Sequence, residues 1–185
     1  MKKESMTEIR IIEEREITPE TDKELRDALC RCFPADYDFF SKMRGWHGSF
    51  PEWSVLIFEG GRIVGYVGIV DRVILAGNRP LRIAGIQNVF TLPECRGLGY
   101  GKLVMDASMK EAGHRDFGAG LLFCVPELER LYAKCGWILL PKEEIVRVDE
   151  KGREISLPEK NIAMFYPLSV NQFPAGRIHL KGNDW

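Results

Sequence analysis

Between residues 53 and 92 three apolar segments of strand period follow one another, 53–58, 63–75 and 81–92. They are separated only by Glu59-Gly60-Gly61-Arg62 and Ala76-Gly77-Asn78-Arg79-Pro80. Links this short reverse the chain but leave no room for a crossover helix, and glycine supplies the backbone freedom of a tight turn. The stretch therefore predicts an antiparallel meander. Whatever the rest of the chain does, it must pack on a sheet whose middle is set here.

On either side the period changes. Upstream, 9–12 reads as a short strand. Thr18-Pro19 reads as a helix N-cap with proline at the first position, and Leu25, Ala28, Leu29, Cys32 and Phe33 recur at helical spacing up to Pro34. The aromatic stretch 36–48, with Tyr37, Phe39, Phe40 and Trp46, fits either a second short helix or a substrate-lining loop. Downstream, 102–113 is helical with two apolar stripes, Met105, Met109 and Ala112 on one and Leu103 and Ala107 on the other. Residues 121–125 form a continuous apolar strand suited to a sheet centre. Residues 127–135 carry Leu128, Leu131, Tyr132 and Cys135 on one helical face, ended by Gly136. The segments 137–148 and 154–166 flank Asp149-Glu150-Lys151-Gly152-Arg153 as a final hairpin, and 167–185 shows no clear period. The expected fold is α/β in the α+β sense: a mixed, mostly antiparallel sheet of six to seven strands with helices on both faces. It forms one domain over 1–166, followed by a tail at 167–185 that can pack over the site.

Composition limits the partners. Of 185 residues, 26 are basic and 27 acidic, a net charge of −1, so the basic excess of a nucleic-acid binder is missing. A chain this long buries roughly 70% of its unfolded surface and needs no staple. Met1-Lys2-Lys3-Glu4 opens no apolar signal region, and the longest apolar run, 63–70, is far too short to span a bilayer. Five cysteines without a C-x-x-C pair, and histidines only at 47, 114 and 179, suggest reduced thiols in a cytoplasm and no metal site. No membrane partner is expected, and a homodimer is allowed.

The sharpest local signal is Arg96-Gly97-Leu98-Gly99-Tyr100-Gly101-Lys102, between the third meander strand and the helix. Three glycines in five positions let backbone approach a ligand closely. A helix beginning there offers unpaired N–H groups and the positive end of its dipole to an anion. The spacing fits neither the dinucleotide fingerprint nor the P-loop.

The loop's R-x-x-G-x-G pattern after a strand resembles the GCN5-related N-acetyltransferase (GNAT) superfamily. The likeness covers roughly 9–166. It is strongest in Ile86-Gln87-Asn88-Val89-Phe90-Thr91-Leu92-Pro93-Glu94-Cys95-Arg96-Gly97 and in Leu131-Tyr132-Ala133-Lys134-Cys135-Gly136-Trp137. The resemblance implies the GNAT fold and acetyl-CoA as co-substrate. It places pyrophosphate on the amides of Arg96, Gly97, Leu98, Gly99, Tyr100, Gly101 and Lys102, and the pantetheine arm on the main chain of Val89, Phe90 and Thr91. Tyr132 takes the position of the acid that protonates the leaving CoA thiolate. Many relatives carry a glutamate nine residues before the loop arginine, and this chain has Gln87. A carboxamide takes no proton, so Gln87 can only orient the amine or a water. Asp36, Asp38, His47 and Glu52 are other ionisable groups in reach of such a site, and none is singled out as base.

The implied activity is N-acetylation of a small-molecule primary amine by direct attack in a ternary complex. Alternatives are a non-catalytic acyl-CoA-binding or sensing domain and a protein N-acetyltransferase. A third is an aminoglycoside or aminosugar acetyltransferase, because 173–185 is similar to endings in aminoglycoside 2′-N-acetyltransferase relatives. On that reading Asp184 and Trp185 attract a cationic acceptor, with Trp46, Trp53 and the Asp36/Asp38 pair across from them.

Overall fold

The computed structural model describes residues 7–141 and 144–185. Strand β1 (Thr7–Glu13) leads to α1 (Pro19–Cys32), which begins as its sequence predicts, with the Thr18 side chain accepting from the Thr21 amide at 3.2 Å. The aromatic stretch contains one short helix, α2 (Tyr37–Phe40), and an otherwise irregular loop. The meander follows as β2 (Trp53–Glu59), β3 (Arg62–Ala76) and β4 (Arg79–Thr91), and β1 adds antiparallel to β2.

After the glycine loop come α3 (Tyr100–His114), β5 (Ala119–Cys124) and α4 (Glu129–Ala133). β5 pairs parallel with β4, the pairing a helical crossover permits. α4 is shorter than the helix expected over 127–135, because Pro126–Leu128 is a 3-10 turn; Gly136 caps the end with φ 87°.

The final hairpin forms as two short ladders. β6 (Ile138–Leu139) pairs with β9 (Ile162–Pro167), and β7 (Ile145–Val148) pairs with β8 (Glu154–Ser156). Pro141 and Pro158, one in each arm, lack the amide that a continuous ladder needs. The tail supplies a further strand, β10 (Ile178–His179), antiparallel to the end of β3 and parallel to β7. The sheet thus has ten strands rather than six or seven, in the order β6-β9-β5-β4-β3-β10-β7-β8 with β1 and β2 beside β3. β6 and β7 lie on the same arm, so the sheet curls round until its ends share one hairpin. Inside the curl sit Ile74, Ile83, Leu121, Phe165, Ile178 and Leu180, all buried.

The two faces differ. Ala84, Ile86, Gly120 and Leu122 point toward α3: a Cβ on Gly120 would meet the Met109 sulfur at 2.6 Å. Gly68, Gly85 and Gln87 point the other way, toward the 44–51 loop and the tail. That loop is fixed by Arg44, a buried guanidinium that bonds the Asp22 carboxylate at 2.7 Å, the Tyr66 hydroxyl at 3.1 Å and Glu14. Burial alone would raise the Asp22 carboxyl, but the hydrogen bonds from Arg44 and Arg26 outweigh it and hold that group below its usual range.

Replacing Arg44 by Met leaves Asp22 and Glu14 without their buried partner and should cost about 3 kcal/mol in urea unfolding. Because the folded Asp22 pKa is depressed, its share of stability is present above the unfolded value of about 4 and lost as pH falls through the folded one. The variant should accordingly show a flatter loss of stability below pH ~4 than the parent. Equal slopes would place the acid sensitivity elsewhere.

Candidate functional site

β4 and β5 part company halfway along. Their ladder runs from Ile83 opposite Ala119 to Ile86 opposite Leu122 and stops. Beyond it β4 continues against β3 only, and β5 against β9 only. The parting coincides with a bulge: the β3–β4 register shifts between Tyr66 and Gly68, and Asn88 takes φ 56°. Asparagine tolerates that left-handed conformation better than most residues, and such bulges re-aim a strand. The Asn88 side chain then donates to the Arg44 carbonyl at 2.7 Å, which fixes the bulge to the loop beside it.

The gap opens into a cavity of about 320 Å³ that contains Gln87, Asn88 and Val89 on one wall and Phe123, Cys124 and Val125 on the other. The main chain of Val89, Phe90 and Thr91 makes no ladder on this side. The Phe90 ring itself is buried against Tyr66, 5.5 Å between centroids, so only its backbone can serve a ligand here. β4 leads directly into the glycine loop. Gly97 and Gly99 have φ of 79° and 87°, with open space where a Cβ would stand. Gly99 is the N-cap of α3, no side chain caps that helix, and its first turn carries no acid. Leu98 and Arg96 are exposed, Tyr100 is buried, and Lys102 pairs with Asp106. The residues read as an anion cradle thus lie together around one helix start; the Arg96 amide is already bonded to the Pro93 carbonyl at 3.3 Å, and Gly97 and Gly99 leave the backbone open. A diphosphate such as that of coenzyme A would fit there by the same chemistry.

Tyr132 lines the cavity from the α3 side of the sheet and is 8% exposed. Burial, followed by the nearby thiols of Cys124 and Cys135, raises its phenol far above the ordinary range, so it stays protonated at working pH. Gln87 lies on the opposite side, and its carboxamide is engaged. It donates to the Ser49 carbonyl at 2.8 Å and accepts from the Trp46 amide and the Asn88 side chain, both at 3.2 Å. It buckles the 44–49 loop to β4, with one N–H left for anything in the cavity.

The expected acceptor residues separate. Trp185 does line the cavity: its indole lies on Gly85, where a Cβ would come within 2.5 Å of the ring, and 5.2 Å from the Phe123 ring. Asp184 does not. Its carboxylate is buried against His47 at 2.7 Å and Arg147 at 3.1 Å, so it holds the tail in place instead of facing an acceptor. Trp53 is likewise elsewhere, 1% exposed in the core beneath the Arg115 guanidinium, because β2 points it away from the gap. Phe33, Phe40, Trp46 and Phe123 complete the wall beside Trp185, and Asp36 stands among them. The 121–125 strand, which the resemblance implies as the cleft's other wall, does line it through Leu122, Phe123, Cys124 and Val125. The bulge at Asn88 is the feature sequence reasoning missed, and a lone asparagine in a strand run was its only signal.

A family model described as an acetyltransferase (GNAT) domain matches residues 13–140. No curated protein matches the chain. Among solved structures, the GNAT family N-acetyltransferase YhbS of Escherichia coli, in complex with CoA, superposes with a TM-score of 0.69 at 15% identity, over 98% of this chain and 93% of that one. An acyl-CoA N-acyltransferase from Pseudomonas aeruginosa gives 0.62 at 15% identity, over 87% and 99%. The ribosomal-protein-S18-alanine N-acetyltransferase of E. coli gives 0.60 at 16%, over 90% and 97%. At these identities the structures share the fold, whereas the family model spans most of the chain and includes both β4 and the glycine loop. The chain belongs to the GNAT acetyltransferase family.

Proposed function

We propose that this chain transfers an acetyl group from acetyl-CoA to the primary amine of a small molecule, by direct attack in a ternary complex. The observation that carries this reading is the gap between β4 and β5. It has an unladdered strand edge on one side, leads to an uncapped helix start, and contains a protonated tyrosine at its wall. When bound, acetyl-CoA supplies the acetyl group activated as a thioester.

The amides from Gly97 to Lys102 would hold the pyrophosphate, with the exposed Arg96 contributing only its side-chain charge, and the free edge of Val89, Phe90 and Thr91 would bond the pantetheine arm as an added strand does. Backbone N–H groups of that same edge are the donors available to a carbonyl oxygen that gains negative charge. The acceptor nitrogen then bonds to the carbonyl carbon as the C–S bond breaks, and the amine's proton passes to water. Tyr132 donates to the departing sulfur. Because its pKa lies above the ~8.5 of a simple thiol, the donation is chiefly a hydrogen bond to the nascent thiolate. The remaining N–H of Gln87 can orient a water or the amine but takes no proton.

The cysteines favour direct transfer over an acyl-enzyme. The Cys124 thiol, in the cavity wall, is pushed up to about 11 by burial and then by Glu129, so little of it is thiolate at neutral pH. Cys95 is buried outside the cavity, and its thiol is raised as well. A second reading, CoA binding without turnover, draws support from the engaged Gln87. It predicts no CoA release with any amine.

The direct test is mass spectrometry of amines incubated with the protein and acetyl-CoA. With an accepted amine, Tyr132→Phe should lower kcat about 100-fold while KM for acetyl-CoA moves less than about twofold. Unchanged turnover would remove Tyr132 from the chemistry. Gly99→Ala forces a side chain into left-handed backbone at a cost of roughly 1–2 kcal/mol. Calorimetry should show CoA affinity down about tenfold, and unaltered affinity would take the loop out of the binding site.

A further inference from the structure

We infer that the acceptor is a monoamine carried on an aromatic skeleton, whose ring packs among Trp46, Phe123 and Trp185 while Asp36 draws its ammonium, which gives one proton to water before the neutral nitrogen attacks and a second as the amide forms. This assignment rests on the transferase reading above and concerns the same cavity. The gap joins the two faces of the sheet, and the faces are unlike. Tyr132 and Cys124 belong to the α3 side, where a departing thiol would be met. Gln87, Phe123 and Trp185 belong to the opposite side, together with the loop bearing Trp46. An amine that attacks from across the cavity therefore approaches over rings.

Charge sharpens the class. Asp36 is the one acidic side chain lining the cavity among the described residues. Asp184, which would have supplied a second negative site, is consumed by His47 and Arg147. Behind the indole of Trp185 the wall is positive: the Arg72 guanidinium lies 5.2 Å from that ring and bonds Ser49 at 3.0 Å and the Asn183 carbonyl. A polyamine or aminosugar would bring several cations to a site with one acidic side chain in front and arginines behind. A single ammonium with an apolar body meets neither penalty, and the rings add attraction for it. Size agrees. The cavity's 320 Å³ is at the lower end of roughly 300–1,000 Å³ for small-molecule sites, and it must also admit the thioester end of the donor. One ring system fits that space beside the thioester.

The test is CoA-thiol release with the intact protein, acetyl-CoA and a fixed panel: 2-phenylethylamine, tryptamine, butylamine, spermidine, an aminoglycoside and a short peptide with a free N-terminus. The arylalkylamines should exceed every other member by at least about tenfold in kcat/KM. Asp36→Asn should raise their KM about threefold with kcat retained. Trp185→Leu should raise KM for the arylalkylamines more than for butylamine, with CoA affinity unchanged as the check that the site is folded. Preference for spermidine, the aminoglycoside or the peptide overturns the acceptor class and leaves acetyl transfer standing. Equal use of butylamine and phenylethylamine overturns it as well, as does an Asp36→Asn variant with unaltered KM. CoA binding without release to any amine overturns the transferase reading, and the acceptor with it.

Discussion

Everything in the site depends on two strands that stop bonding to each other. A parallel pair in the middle of a sheet normally keeps its ladder, because unpaired buried amides and carbonyls are costly. Here the ladder ends after Ile86 and Leu122, and the bulge with Asn88 at φ 56° turns β4 away. The surrounding groups hold that departure open: Asn88 to the Arg44 carbonyl, Gln87 to Ser49 and Trp46, and Arg44 itself to Asp22 and Tyr66. The free strand edge is available to a ligand because an ion-paired arginine and two carboxamides stabilise the neighbouring loop.

The second organising feature is the curl. β3 is long enough for its first half to pair with β2 and its end to pair with β10, and β10 carries the sheet on to β7. Bending of this extent leaves a tapering interior, which Ile74, Ile83, Leu121, Phe165 and Ile178 fill. The same curl brings the tail over Gly85 at the last rungs of the β4–β5 ladder, so Trp185 closes the cavity from below. Glycine at 85 is what lets an indole rest there.

What could be read from the sequence was whatever its own neighbours determine. The meander, α1 with its Thr18 cap, the helix after the glycine loop (expected over 102–113, formed over Tyr100–His114) and the Gly136 stop of α4 are each set by spacing within one element. The anion cradle was legible for the same reason, since its glycines and its helix are contiguous. The rest depends on partners far away in the chain. A two-residue strand at Ile178–His179 has no period to detect, and it exists because β3 and β7 present edges on either side. Asp184 looked like a free acid because nothing near it in sequence shows Arg147 and His47 waiting. Trp53 looked like a pocket residue because an aromatic at a strand start says nothing of which face it takes.

The tail's attachment has a kinetic side. Asp184 meets His47 across 137 residues of chain, and Asn183 meets Arg72 across 111. Closing loops of that length costs about 4 kcal/mol of chain entropy, which must be met before the contacts return anything. Contacts that span so much chain slow folding, because the chain entropy is lost before they form. The floor of the cavity is thus completed only once β3 and the 44–49 loop are in place to receive the tail. An acceptor that binds on Trp185 adds its binding energy to the tail's attachment, so occupancy stabilises the fold.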